Sequence, residues 1–169
     1  MVRSFLCAAA LVLAVMGVRC DGGEDFFGDR KNMERTVVIF KPDAVQKGRV
    51  GTILSRFEAE RLRIAALKMV QLDETVLREH YAHLASLPFF GEILGFMQET
   101  PVVIAVLEGK NAVAKVREMA GPTDSAAAPR GTIRGDFGQD KMRNMLHASD
   151  SLENARLEIG RFFAVREIF

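Results

Sequence analysis

"RTVVIFK", residues 35–41, is the stretch on which the fold turns. Thr36 to Phe40 are all β-branched or aromatic, without the polar alternation of a strand that has one face in water. Pro42 then stops the run. Such a run reads as a buried central strand, around which the rest of the chain has to be arranged.

Outward from it, Val50, Ile53, Leu54, Phe57 and Leu62 fall at helical spacing, which predicts an amphipathic helix over residues 50–62. "RIAALKMVQL" (63–72) predicts a second strand. Residues 74–98 predict two short helices parted near Leu87 and Pro88, because proline disfavours helix at the residue before it. "PVVIAVLEG" (101–109) predicts another buried strand, and "NAVAKVREMA" (111–120) a helix. Residues 121–138, rich in Gly, Pro, Ala and Thr, read as a long ordered loop, a feature that is usually functional inside a compact domain. A short strand is expected around residues 145–148. Leu152, Ala155, Ile159, Phe162 and Phe163 then form one helical stripe, with Asp150 as the expected N-cap and Glu153 completing a capping-box-like start. The order β-α-β-(αα)-β-α-loop-β-α matches the split βαβ, ferredoxin-like plan. This is an α/β (α+β) domain with a four-stranded sheet and helices covering one face.

Residues 1–32 stand apart. Arg3 precedes the apolar run "FLCAAALVLAVMGV" (5–18), which has the length of a secretory signal core and is short for a membrane span. Val18 and Cys20 are small enough to flank a cleavage before Asp21. Equally, "MERTVVIFKPD" from Met33 reads as an ordinary cytosolic start. The working domain is 33–169 in both readings, cytoplasmic in the second and exported in the first. The chain's cysteines, Cys7 and Cys20, both fall in the leading segment, so the domain has no disulfide, zinc cluster or cysteine nucleophile. The 169 residues suit one domain, and 23 Lys plus Arg against 22 Asp plus Glu argue against a general nucleic-acid or membrane-surface binder. A local cluster of cations for a small anion is not excluded.

Such a cluster is visible. Arg134 lies in "PRGTIRGDFG" (129–138), whose glycines permit close backbone approach to a ligand, and arginine suits bidentate binding of phosphate. Arg117 lies on the preceding helix, and Lys41 ends the first strand, where such sheets open on ligand crevices. No Walker A or GxGxxG pattern is present, so any phosphate site here is not a P-loop. His147 lies just before the last helix, where backbone N–H groups and the helix dipole favour a phosphate over an imidazolium. A neutral histidine there is a nucleophile, and nucleophiles need an orienting partner. Glu158 borders the apolar stripe and should be half-buried, needing a donor such as the imidazole N–H; a solvated helix charge is the other reading. Ser149 offers a further contact. His80 and His83 share a helix face but have no third ligand in the nearby sequence, and both are read as without function.

"NMLHASDSL" (144–152) carries the pattern Asn-x-x-His-[Gly/Ala]-Ser-Asp. With "ERTVVIFKPDAVQKG", "HYAHLASLPFF", "MAGPT" and "GTIRGDFG", in that order and spacing, the chain from Met33 onward resembles the nucleoside diphosphate kinase family. The resemblance implies that His147 is a phosphorylated nucleophile supported by Ser149 and Glu158. It implies nucleotide contacts at Lys41, Tyr81, Phe89, Arg117, Thr123, Arg134 and Asn144. It further implies a nucleotide-bound Mg²⁺, nucleoside di- and triphosphates as substrates, ping-pong transfer with ATP as main donor, and a homo-oligomer, tetramer or hexamer. Ala148 replaces the commoner Gly, and Arg130 stands where a direct Pro-Gly step is usual. Two other readings keep the same fold: a non-catalytic nucleotide-binding module, and a histidine phosphotransfer protein with a protein acceptor.

Overall fold

The computed structural model describes residues 33–169; the signal-like segment lies outside them. The 35–41 run becomes β1 (Met33–Phe40), a central strand. It pairs antiparallel with β3 (Val102–Lys110) on one side and β4 (Leu146–Ala148) on the other, and β3 pairs antiparallel with β2 (Arg63–Val70). The sheet order is β2-β3-β1-β4, with β3 inserted between β1 and β2 as the split βαβ plan requires.

Helices cover both faces, where the sequence predicted one. Successive residues of β1 show this directly: Val37 and Ile39 enter one apolar cluster, Val38 and Phe40 the other. The first cluster takes Leu77 from α3 (Glu74–His80), Phe90, Phe96 and Met97 from α4 (Phe90–Met97), and Phe162 from α7 (Leu152–Phe162). The second takes Ala44 from α1 (Pro42–Gln46), Ile53 and Phe57 from α2 (Val50–Ala59), Val116 from α5 (Ala112–Ala120) and Ile133 from α6 (Ile133–Phe137). The unbroken apolar run in β1 is the cause. A strand with no polar alternation needs cover on both sides, and each large side chain so buried contributes roughly 1.5–3 kcal/mol.

Three local differences have simple causes. Pro42 ends the strand by starting a helix: it stands at the first position of α1, where its missing N–H is no loss. The expected loop 121–138 contains a 3-10 turn (Ser125–Ala127) and α6, capped by Thr132, whose hydroxyl oxygen accepts from the N–H of Gly135. The N-cap of α7 is Ser151 and not Asp150. The Ser151 hydroxyl oxygen accepts from the N–H of Asn154, while the Asp150 carboxylate accepts from the Asn154 side-chain amide at 2.7 Å.

Candidate active site

β4 is three residues long, and its short pairing with β1 sets the site. Its register places His147 opposite Ile39. The ladder ends when Ser149 donates its N–H to the carbonyl of Val37 at 3.2 Å and its hydroxyl oxygen accepts from the N–H of Val37 at 3.0 Å. The Ser149 hydroxyl is then aimed at α7, where it donates to Glu158 Oε2 at 2.6 Å. The other oxygen of Glu158 lies 2.9 Å from His147 Nε2. Glu158 is 7% exposed, more deeply buried than half, because its helix face packs directly on β1. A buried carboxylate requires donors, so Nε2 is assigned the proton and Nδ1 the lone pair. Nδ1 has no hydrogen-bond partner among the described residues.

One neighbour of this triad escaped the sequence reading. His80 lies on the same apolar face of α3 as Leu77, three residues earlier, and is buried. Its ring stands edge-on to that of His147, with centroids 4.5 Å apart, and also contacts Tyr81 and Phe162. Its Nδ1 lies 3.8 Å from Glu158 Oε1, and neither ring nitrogen has a hydrogen-bond partner among the described residues. Burial, and then the neighbouring His147, push its pKa down to about 2, so it is neutral. His83 is exposed on the 3-10 turn that follows. The third ligand partner judged missing from the sequence is therefore supplied by tertiary structure, to His80 and not to His83. The one legible signal was the three-residue spacing from Leu77, which marks an apolar face.

The cations are held by the chain turns around β4. Lys41 donates to Asn144 Oδ1 at 2.7 Å and to the carbonyl of Met142 at 3.3 Å. Asn144, wholly buried, spends its amide protons on the carbonyls of Thr123 and Lys141. Met145 is left-handed (φ 74°) and donates its N–H to the carboxylate of Asp43, a residue sequence reasoning passed over. This kink delays β4 until Leu146 and turns Asn144 toward Lys41. Arg134 donates to the carbonyls of Gly121 and Leu146, at 2.6 and 2.9 Å. Burial, and then the charge of Arg117, lower its pKa to about 10. Burial, and then Arg134, lower that of Lys41 to about 8. Both shifts arise first from burial and second from a neighbouring cation.

All the predicted site residues line one cleft of about 1130 Å³, except Ser149, which is buried behind His147. Arg117 and Thr123 reach it from the exposed end of α5 and the loop after it. Phe89, 44% exposed as the N-cap residue of α4, forms the opposite wall. Tyr81 sits beside His147 with its hydroxyl 4.0 Å from Met97 Sδ; burial, and then Glu158, raise its pKa. The arrangement offers an unpaired imidazole nitrogen facing several cations and an exposed aromatic ring, a chemistry suited to phosphoryl groups on an aromatic carrier.

A sequence model of nucleoside diphosphate kinases matches residues 34–168. The chain belongs to the nucleoside diphosphate kinase family. The family's enzyme from Campylobacter lari is 53% identical over 136 residues, covering 80% of this chain and 99% of that protein. The nucleoside diphosphate kinase of Aquifex aeolicus superposes with a TM-score of 0.77 at 48% identity, covering 81% of this chain and 99% of that one. The halophilic nucleoside diphosphate kinase of Halobacterium salinarum, solved in complex with CDP, gives a TM-score of 0.78 at 40% identity, covering 80% and 91%. This chain is thus an enzyme of the kinase family, and among its described residues no helix is long and apolar enough to cross a membrane.

Proposed function

We propose that the domain transfers the terminal phosphoryl group of a nucleoside triphosphate, mainly ATP, to nucleoside diphosphates through His147. The observation that carries this reading is the bond from His147 Nε2 to Glu158, which leaves Nδ1 as the free nucleophile in a cation-lined cleft. In the first half-reaction Nδ1 attacks the γ-phosphorus and the bond to the β–γ bridging oxygen breaks, releasing the diphosphate. In the second, a terminal oxygen of another diphosphate attacks the same phosphorus, and His147 returns to its neutral state. Glu158 stabilises the positive charge the ring acquires when Nδ1 is phosphorylated, and Ser149 fixes the carboxylate.

Arg117, Arg134 and Thr123 bind phosphate oxygens. Lys41 and Asn144 hold the ribose hydroxyl and the phosphate near it, Tyr81 borders the reacting histidine, and Phe89 stacks on the base. Mg²⁺ fits this site as part of the nucleotide. The buried carboxylate nearest the reaction, Glu158, is already engaged by His147 and Ser149; Asp150, Glu79 and Glu92 also line the cleft, among Lys41, Arg117 and Arg134. Bound through phosphate oxygens and water, the ion would neutralise phosphate charge.

A non-catalytic module does not need the His147–Glu158–Ser149 relay, and a protein-to-protein phosphotransfer role does not need Phe89 and the nucleotide cleft; both are less well supported. A homo-oligomer, tetramer or hexamer, is supported by the outer edge of β2, where Leu67 and Met69 are 50% and 58% exposed. The cytosol is the expected compartment if translation starts at Met33, and export through the signal-like segment is the alternative. His147→Ala should abolish phosphate exchange between ATP and other diphosphates while the circular dichroism stays native. Near-normal turnover by the folded variant would contradict the assignment.

A further inference from the structure

The His80 ring poses a question that phosphoryl transfer does not answer. If its role were packing alone, a phenylalanine would fill the same place among Tyr81, Phe162 and the His147 ring without burying two unpaired nitrogens. Leaving such groups unsatisfied is costly. Both nitrogens belong to a side chain only 1% exposed, and Nδ1 is directed at the oxygen of Glu158 that already meets His147.

We propose that His80, His147 and Glu158 form a second, inhibitory metal site for a zinc-class divalent cation, distinct from the nucleotide's Mg²⁺. Their ligand atoms all lie within 4.8 Å of one another, with 2.9 Å from His147 Nε2 to Glu158 Oε1 and 3.8 Å from His80 Nδ1 to the same oxygen. Around a tetrahedral Zn²⁺ with bonds near 2.0–2.1 Å, ligand atoms stand ~3.4 Å apart. Small ring rotations bring the three donors to that spacing, and a water completes the shell. Two imidazoles and one carboxylate select zinc, copper, cobalt or nickel over magnesium, which prefers oxygen. The ion enters from the cleft, past His147, whose side chain is 23% exposed.

The site has a direct consequence for chemistry, and this part rests on His147 being the phosphoryl carrier. A metal on Nε2 displaces the proton there, and the ring regains a proton from solvent at Nδ1. Nδ1 then has no lone pair for attack on phosphorus. Metal binding thus switches the nucleophile off by changing its tautomer, without occupying the nucleotide's place.

The test uses the full-length chain and Co²⁺ as a spectroscopic probe, in the absence of nucleotide. The wild type should develop the intense visible absorption of low-coordinate cobalt, saturating at one ion per chain. His80→Phe should weaken this binding by at least ~10-fold, since loss of even an outer-shell partner has that effect. His83→Ala should leave it unchanged. Cys7 and Cys20 are common to all three chains, so the difference isolates His80. Should circular dichroism show that His80→Phe is misfolded, His80→Gln serves the same comparison. Equal cobalt affinity in wild type and folded His80 variant overturns the site. In a second arm, buffered free Zn²⁺ in excess Mg²⁺ should inhibit phosphate exchange reversibly, with half-inhibition shifted in the His80 variant by the same factor as cobalt binding. His80-dependent cobalt spectra with zinc-insensitive exchange would retain the site and overturn its inhibitory role, whereas normal exchange by folded His147→Ala would overturn the carrier on which that role rests.

Discussion

Lys41 ends a buried strand, and its charge is held there at some cost. Desolvation, reinforced by Arg134, brings its pKa to about 8, with Asp43 and Asp140 opposing the shift. A lowered lysine pKa means that the cation is complete below pH 8 and is lost as the pH rises through that value. Where Lys41 meets the nucleotide's phosphate as proposed, the KM for diphosphates should climb above about pH 8, approaching tenfold per pH unit at the limit. Steady-state kinetics at fixed ionic strength measure this, and a KM flat from about pH 7 to about 9.5 would show that Lys41 does not meet the nucleotide's charge. Phe89 makes the complementary case. Its exposed ring offers a face and no polar atom, and stacking is worth roughly 1–3 kcal/mol for any base. Phe89→Ala should therefore weaken binding of all common diphosphates by similar factors, roughly 5- to 150-fold. Equilibrium titrations that showed loss of purines alone would reveal base-edge contacts beyond the stacking assigned here.

Among the elements, α6 and the turn before it bear most directly on function. Gly135 has no room for a side chain: a Cβ there would collide with the carbonyl of Pro129 and crowd that of Ala128 at 2.8 Å, both backbone atoms that cannot swing aside. Gly135→Ala should thus displace the turn that carries Arg134, lowering kcat/KM by roughly 10- to 100-fold, because phosphoryl transfer depends on positioning. Thermal melts and kinetics measured together check this; full activity with native stability would show that the turn yields freely. This element was also the least legible in the sequence. The strands β1 and β3 and the stripe of α7 could be read because burial repeats along them with a fixed period. The path from Gly121 to Leu146 has no period. It is set by single tertiary contacts: the carboxylate of Asp43 on the N–H of Met145, the guanidinium of Arg134 on two carbonyls, and Thr132 capping α6. His80 was missed for a related reason. Its spacing from Leu77 marks an inward face, but only the folding of α3 against α7 reveals that it meets His147 and Glu158. The cap of α7 was displaced by one residue because Asp150 and Ser151 both carry a suitable oxygen, and backbone geometry chose between them.

At the scale of the whole molecule, one apolar run organises everything else. β1 is buried on both faces, so helices must lie on both sides of the sheet, and the short strand β4 is held at its edge with His147 carried into the cleft. Nearly balanced total charge coexists with a local cationic cluster because Lys41, Arg117 and Arg134 converge in the cleft, where Glu158 is turned to another task and Glu79, Glu92 and Asp150 share the lining. The convergence of these cations beside the His147 imidazole is what the proposed phosphoryl carrier requires. The most direct test is to incubate the protein with ATP labelled in its γ-phosphate and examine the protein in the absence of acceptor. A phosphate held through an acid-labile, alkali-stable bond, mapped to His147 and released to an added diphosphate, is the result expected. A phosphoprotein stable in acid, or labelling undiminished in His147→Ala, would contradict the account.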